Sequence, residues 1–246
     1  MPFNIILGRN EEDKKKFGEE GTIFLGRTYV KMGQTTSLSN PVYLDVIKSH
    51  VIFICGKRGS GKSFSASVIA EGIVNLPENI AKNLSVILFD TMGVFWTMKY
   101  PNEKNADILE EWNLKPKGLE KIKVFTPIGQ YESAQEKGIP TDAPFSIKAS
   151  ELSGEDWSLA LELNSSHPVS ILIEKTLGDF AEQKKEEYTI EEIIETCKND
   201  NSFQIEVRNE AMNRLRTAKN WGLFSEKGTK IDVLIKGGLV TVLDMS

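Results

Sequence analysis

A run of eight residues, Gly56-Lys57-Arg58-Gly59-Ser60-Gly61-Lys62-Ser63, carries the densest chemistry in this chain. Its spacing satisfies the pattern G-x-x-x-x-G-K-S/T, in which each fixed position has a physical task. The glycines let the backbone curl so that successive N–H groups point inward as a nest for an anion. An ammonium group at Lys62 can sit against the β- and γ-phosphates of a nucleotide, and the Ser63 hydroxyl is a hard, compact ligand for Mg²⁺. The expected nucleotide-binding residues are therefore Gly56, Arg58, Gly59, Ser60, Gly61, Lys62, Ser63 and Phe64, with Lys62 also catalytic and Ser63 the metal ligand. ATP and Mg²⁺ are the expected cofactors.

Such a loop works only between a strand and a helix. The apolar run Val51-Ile52-Phe53-Ile54-Cys55 predicts a buried parallel strand ahead of it, with Cys55 as a small packing residue. Phe64 to Leu76 predicts the helix, with Ala66, Ile69, Ala70 and Ile73 on one face. The positive end of that helix then faces the phosphates. Ser85 to Asp90 predicts a second buried strand ending in an acid, and Ile122 to Phe125 a third. An acid at the carboxyl end of such a strand belongs on the ligand side, so Asp90 joins Lys62 as a candidate catalytic residue.

The expected fold is α/β: a P-loop NTPase (RecA-like) sheet with a small β-rich N-terminal unit over residues 1–48 and the ATPase domain over 49–246. In the first unit, short apolar stretches alternate with glycine-bearing turns. Residues 128–144 read as a surface excursion and 150–222 as a helical insertion. Within it, Ser153 and a Thr189–Glu192 capping box start helices, Pro168 sits in a first turn, and Gly222 stops the last helix. Ile231–Ile235 and Leu239–Leu243 predict strands around a Gly237-Gly238 turn.

The 246 residues are 40% hydrophobic and 26% charged, ordinary for a globular protein, and no apolar run is long enough to span a bilayer. No basic leader with an apolar core opens the chain, so a cytoplasmic location is expected. Cys55 and Cys197 are too few for a disulfide framework or a zinc site. A net charge of −5 argues against a surface that coats nucleic acid throughout. Lys14-Lys15-Lys16 is ringed by acids and reads as a solvated loop or helix face.

Other P-loop classes lack their second signature. Asp90-Thr91-Met92-Gly93 matches the D-x-x-G of GTPases, yet no N/T-K-x-D guanine reader occurs. Leu152-Ser153-Gly154 opens like an ABC-transporter signature, but Glu155-Asp156 places two carboxylates where a γ-phosphate would dock. A small-molecule kinase usually carries an arginine-rich lid, and arginines are sparse here.

From end to end the chain resembles the archaeal HerA-type ATPases of the HerA/FtsK superfamily. The resemblance rests on Gly21-Thr22-Ile23-Phe24-Leu25-Gly26-Arg27, Asn40 to Asp45, His50, the phosphate loop, Ile69-Ala70-Glu71-Gly72, Asp90 with Gly93, Trp221 to Phe224, and Gly238 to Asp244. It implies a homo-oligomeric ring, a hexamer, that uses ATP to move along double-stranded DNA, with a partner nuclease docked on an N-terminal barrel and no membrane contact. Departures are visible. The N-terminal unit is short for that barrel, and Val94 stands where the family's turn carries Glu. The family's apolar strand ending in Asp-Glu is not found; Asp244 is followed by Met245. The chain is accordingly expected to be the N-terminal part of a longer motor. The other reading is a short protein that uses Asp90 or Asp244 for Mg²⁺, or an ATP-binding regulatory or structural module without motor activity.

Overall fold

The computed structural model describes residues 3–33 and 35–246. In chain order the elements are β1 (Ile5–Leu7), α1 (Glu11–Phe17), β2 (Thr22–Met32), β3 (Thr35–Asp45), α2 (Lys62–Val74), α3 (Glu78–Ala81), β4 (Val86–Asp90) and α4 (Ala106–Glu111). There follow β5 (Ile122–Pro127), α5 (Tyr131–Glu136), β6 (Ala143–Phe145), α6 (Gly154–Ala160), α7 (Pro168–Glu182), α8 (Ile190–Asn199), α9 (Ile205–Lys219), α10 (Ile231–Leu234) and β7 (Val240–Asp244). The fold is mixed α/β with parallel strand pairing. Two compact units divide it, one running through Lys123 and taking up Leu234–Asp244 and Ser246, the other Val124–Val233 with Met245.

In the first unit, β1, β3 and β2 form a three-stranded sheet in that order. The expected apolar stretches lie in these strands, and β2 and β3 extend well past them as an antiparallel hairpin. The basic run Lys14-Lys15-Lys16 lies exposed on α1, as expected. Strands β4 and β7 pair in parallel, from Val86 opposite Val240 to Asp90 opposite Asp244. All five residues of β7 are buried, Thr241 and Asp244 among them, as in a parallel strand covered on both faces. Helix α2 buries Ala70 and Val74, and its Gly72 lies close enough to β2 that a Cβ there would stand 3.0 Å from the Cβ of Ile23.

The second unit holds the parallel pair β5–β6 and the helices α6 to α9. Their shared core includes Trp157, Val169, Leu172, Ile173, Ile193, Ala211, Leu215 and Ala218. The predicted starts are present: Ser153 and Thr189 each close a capping box, and Pro168 occupies the first turn of α7. Gly222 follows α9 at φ 68, a left-handed stop that a Cβ would strain.

Four expectations fail. The strand expected at 85–90 forms as β4 but is not buried as expected: Asp90 alone of its five residues is buried and Phe89 is 68% exposed. Residues 51–55 pair with no strand among the described residues; Val51 is 101% exposed and Phe53 87%, and Cys55 is exposed rather than packed. Apolar composition shows what a segment could bury, whereas a strand also needs a partner edge to satisfy its N–H and C=O groups. Residues 231–234 form the short helix α10 instead of a strand, with Ile231, Val233 and, just past the helix, Ile235 exposed. Alternation at 231, 233 and 235 fits a strand, but no edge receives it; the Leu234 carbonyl accepts instead from the Thr241 hydroxyl at 2.7 Å. Residues 128–144 are more than an excursion. They hold α5, with Ala134 buried, and lead into β6, while the Asp142 carboxylate accepts from the Val124 amide. The glycines and prolines there mark ends of short elements.

Candidate functional site: a phosphate-binding loop

Gly59 and Gly61 stand at φ +79 and +86, left-handed values that side chains with a Cβ adopt at a cost. Between them the chain turns tightly, the Ser60 amide donating to the Lys57 carbonyl at 3.2 Å. A Cβ on Gly56 would fall 2.4 Å from the Ser60 Oγ, so a larger residue there would turn that hydroxyl aside. The spacing of glycines in the sequence is thus explained by backbone geometry.

Gly61 is the N-cap of α2, and it has no side chain to cap the first-turn amides. No acid lies in that turn. A 13-residue helix therefore begins with uncapped N–H donors and its dipole's positive end at the loop, an arrangement suited to phosphate oxygens. The hydroxyl of Ser63 makes no hydrogen bond among the described residues, whereas Ser65 and Ser67 spend theirs on the carbonyls of Gly61 and Ser63. Lys62 donates to the Lys57 carbonyl across the loop at 2.9 Å. Arg58 is exposed at the loop's crest and Phe64 is 61% exposed on the first turn. At the other end of α2, the Lys121 ammonium donates to the Val74 carbonyl at 3.3 Å, where positive charge is favourable.

Sequence residues 30–246 match the family model described as helicase HerA, central domain. The chain belongs to this HerA family. Membership and the loop geometry agree on a P-loop module of ATPase type that binds nucleotide. A search of curated proteins gave no match.

Every predicted loop residue of this HerA-family chain, Gly56 to Phe64, lies in one continuous turn-and-helix start. These residues fit a nucleotide's phosphates, and the free Ser63 hydroxyl fits a Mg²⁺ held jointly with phosphate oxygens. Among the described residues no group of three or more His, Cys, Asp or Glu could hold a metal ion. No helix among them is long and apolar enough to cross a membrane.

Asp90 stands at the carboxyl end of β4, 1% exposed. Its carboxylate accepts from the amides of Met92 at 3.1 Å, Val94 at 2.8 Å and Phe95 at 2.7 Å. Those bonds give it the work of capping the turn after β4. Its register neighbour Asp244 is also buried and accepts from the Ser246 amide at 3.0 Å.

A network that the sequence did not disclose lies just upstream of the loop. Arg9, buried, donates to Asp45 and to the carbonyls of Gly18 and Glu20. The second oxygen of Asp45 lies 2.9 Å from His50 Nε2. Burial alone would raise the Asp45 pKa, but hydrogen bonds from Arg9, His50 and the Ile47 amide outweigh it and hold the group below its ordinary value. Gly8 lies under the ring, where a Cβ would meet His50 Cε1 at 2.7 Å. These contacts tie the N-terminal sheet to the segment entering the phosphate loop. Only the small residue at Gly8 could have signalled them, and it does so weakly.

Proposed function

We propose that this chain is the ATP-binding part of a HerA-like DNA translocase or helicase, which couples ATP hydrolysis to movement on double-stranded DNA. One observation carries the reading: left-handed Gly59 and Gly61 feed an uncapped helix start at Lys62 in a chain of the HerA family. In this reading the backbone amides of Gly59 to Ser63 bind the β-phosphate. Lys62 leaves the Lys57 carbonyl to offset charge on the γ-phosphate, and Ser63 ligates Mg²⁺. A Mg²⁺ held by Ser63 together with the nucleotide would supply charge neutralisation for the attack of water. The sheet is RecA-like, the subunits form a ring, a hexamer, in the cytoplasm, and a nuclease is the partner.

A second reading has its own support. Both oxygens of Asp90 are taken up by backbone amides, which gives this acid a structural task in place of a catalytic one. An ATP-binding module without motor activity needs no catalytic acid there. Steady-state ATP turnover with and without duplex DNA separates the two. Turnover that rises with duplex supports the translocase; nucleotide binding with no turnover under either condition supports the module.

A further inference from the structure

The β2–β3 hairpin is anchored at one end only. At its base, Ile23 is buried, Phe24 packs on Tyr43 and Trp112, and β1 pairs with Val42 to Leu44. Beyond Asn40 the described residues give the hairpin no third strand. It continues as a two-stranded arm, with Tyr29 opposite Leu38 and Val30 opposite Ser37. A free ribbon of two strands is marginal in water and gains from a partner.

The composition of this arm departs from that of the chain. Asp and Glu number 35 in 246 residues, about one in seven, yet residues 21–44 contain none. Its charges are Arg27 and Lys31, both exposed, in a protein of net charge −5. Tyr29 stands between them, 74% exposed. The β2–β3 register shifts between Arg27 and Tyr29, where β3 takes up one residue more (Arg27 opposite Pro41, Tyr29 opposite Leu38), so β2 itself keeps its two-residue period and residues 27, 29 and 31 fall on one side of it, roughly 6.7 Å apart. Among the described residues, none of the three side chains makes a hydrogen bond, ion pair or ring contact.

We propose that this face binds an unpaired nucleic-acid strand, with Tyr29 stacking on a base and Arg27 and Lys31 meeting phosphates on either side. Charge complementarity favours a polyanion. The exposed ring between two cations favours one whose bases are open, because a π-face serves any unstacked base while duplex bases are already stacked. An acidic polypeptide would use the cations and leave the ring idle. The inference stands apart from the ATPase reading, since no residue of the phosphate loop takes part.

Fluorescence anisotropy of a labelled 20-mer of thymidine, titrated with the full chain at 50 to 200 mM salt, tests it. Tyr29→Leu keeps an apolar strand residue and should weaken binding about 5- to 150-fold, the worth of one stacked base. Arg27→Gln/Lys31→Gln should lower the slope of log affinity against log salt by about 1.4, two phosphate contacts on a single strand. Unchanged far-ultraviolet circular dichroism and unchanged ATP-induced thermal stabilisation in both variants keep folding and nucleotide binding out of the comparison. Wild-type affinity in Tyr29→Leu, an unchanged salt slope in the double variant, or equal competition by polyglutamate would overturn the proposal.

Discussion

The Lys62 ammonium donates to the carbonyl of Lys57, 2.9 Å away, so the cation that should meet phosphate bridges its own loop. The contact is exposed and local, and its loss should change stability by no more than about 0.5 kcal/mol. Lys62→Ala should therefore unfold at the same temperature as wild type without ligand. The two should part company on adding ATP–Mg²⁺. A ligand at a hundred times its dissociation constant adds about 2.7 kcal/mol, and the variant should lose that gain. GTP should stabilise wild type only modestly less, since no guanine reader is present. Equal ATP-induced shifts in wild type and variant would remove Lys62 from the site.

Asp90 offers a contrast between a structural and a chemical role. With three backbone amides on its carboxylate, Asp90→Ala leaves three part-buried donors without their acceptor. A loss of about 1–3 kcal/mol in urea unfolding is expected, since water reaches the exposed Met92 and Val94 and replaces part of what is lost. Asp90→Asn keeps one acceptor and should lose less. If both variants keep wild-type stability while ATP turnover collapses, the residue acts on the nucleotide and its capping role is secondary.

The two cysteines should behave oppositely. Cys55 is exposed ahead of the phosphate loop, whereas Cys197 is buried in the helical core with its thiol 3.4 Å from the Thr176 hydroxyl. A thiol reagent such as Ellman's should modify Cys55 in native protein within the mixing time or minutes and reach Cys197 only on unfolding. Slow labelling of Cys55 would show that residues 51–55 are paired in solution. Burial pushes the Cys197 thiol up to about 11 from an ordinary 9.0. Its contribution to stability is complete below pH 9 and declines as pH rises towards 11, because the unfolded thiol ionises first. Cys197→Ala should flatten that alkaline decline.

At the acid end, hydrogen bonds from the Lys175 ammonium, then from the Ser202 side chain and amide, hold Asp200 at about 2, against an ordinary 3.8. A depressed carboxylate stabilises above the unfolded value and loses that effect as pH falls through the folded one. The urea midpoint should thus fall between pH 4 and 2, and by less in Asp200→Asn. A variant that tracks wild type across this window would show that the pair is fully screened by solvent.

Helix starts in the second unit were readable because their causes are local. Ser153, Thr189 with Glu192, and Pro168 act within one turn, and the structure shows each doing so. Strands were readable only where partners exist. Val86–Asp90 and Val240–Asp244 supply each other's backbone bonds; the equally apolar 51–55 and the alternating 231–235 find no edge. Pairing is a relation between distant segments, and no property of one segment contains it.

By itself the sequence determined the phosphate loop, because eight consecutive residues carry both the backbone freedom and the charge that a phosphate cradle requires. It determined as well the order of loop and helix, and through these the kind of ligand. The Arg9–Asp45–His50 network, the capping of the turn by Asp90 and the free arm around Tyr29 were decided by tertiary structure. Arg9 and Asp45 are 36 positions apart, and only folding brings their charges into a buried place where desolvation makes pairing matter. Hydrogen bonds, burial and exposure are set by what the rest of the chain leaves beside a residue, and that is fixed only once the chain has closed on itself.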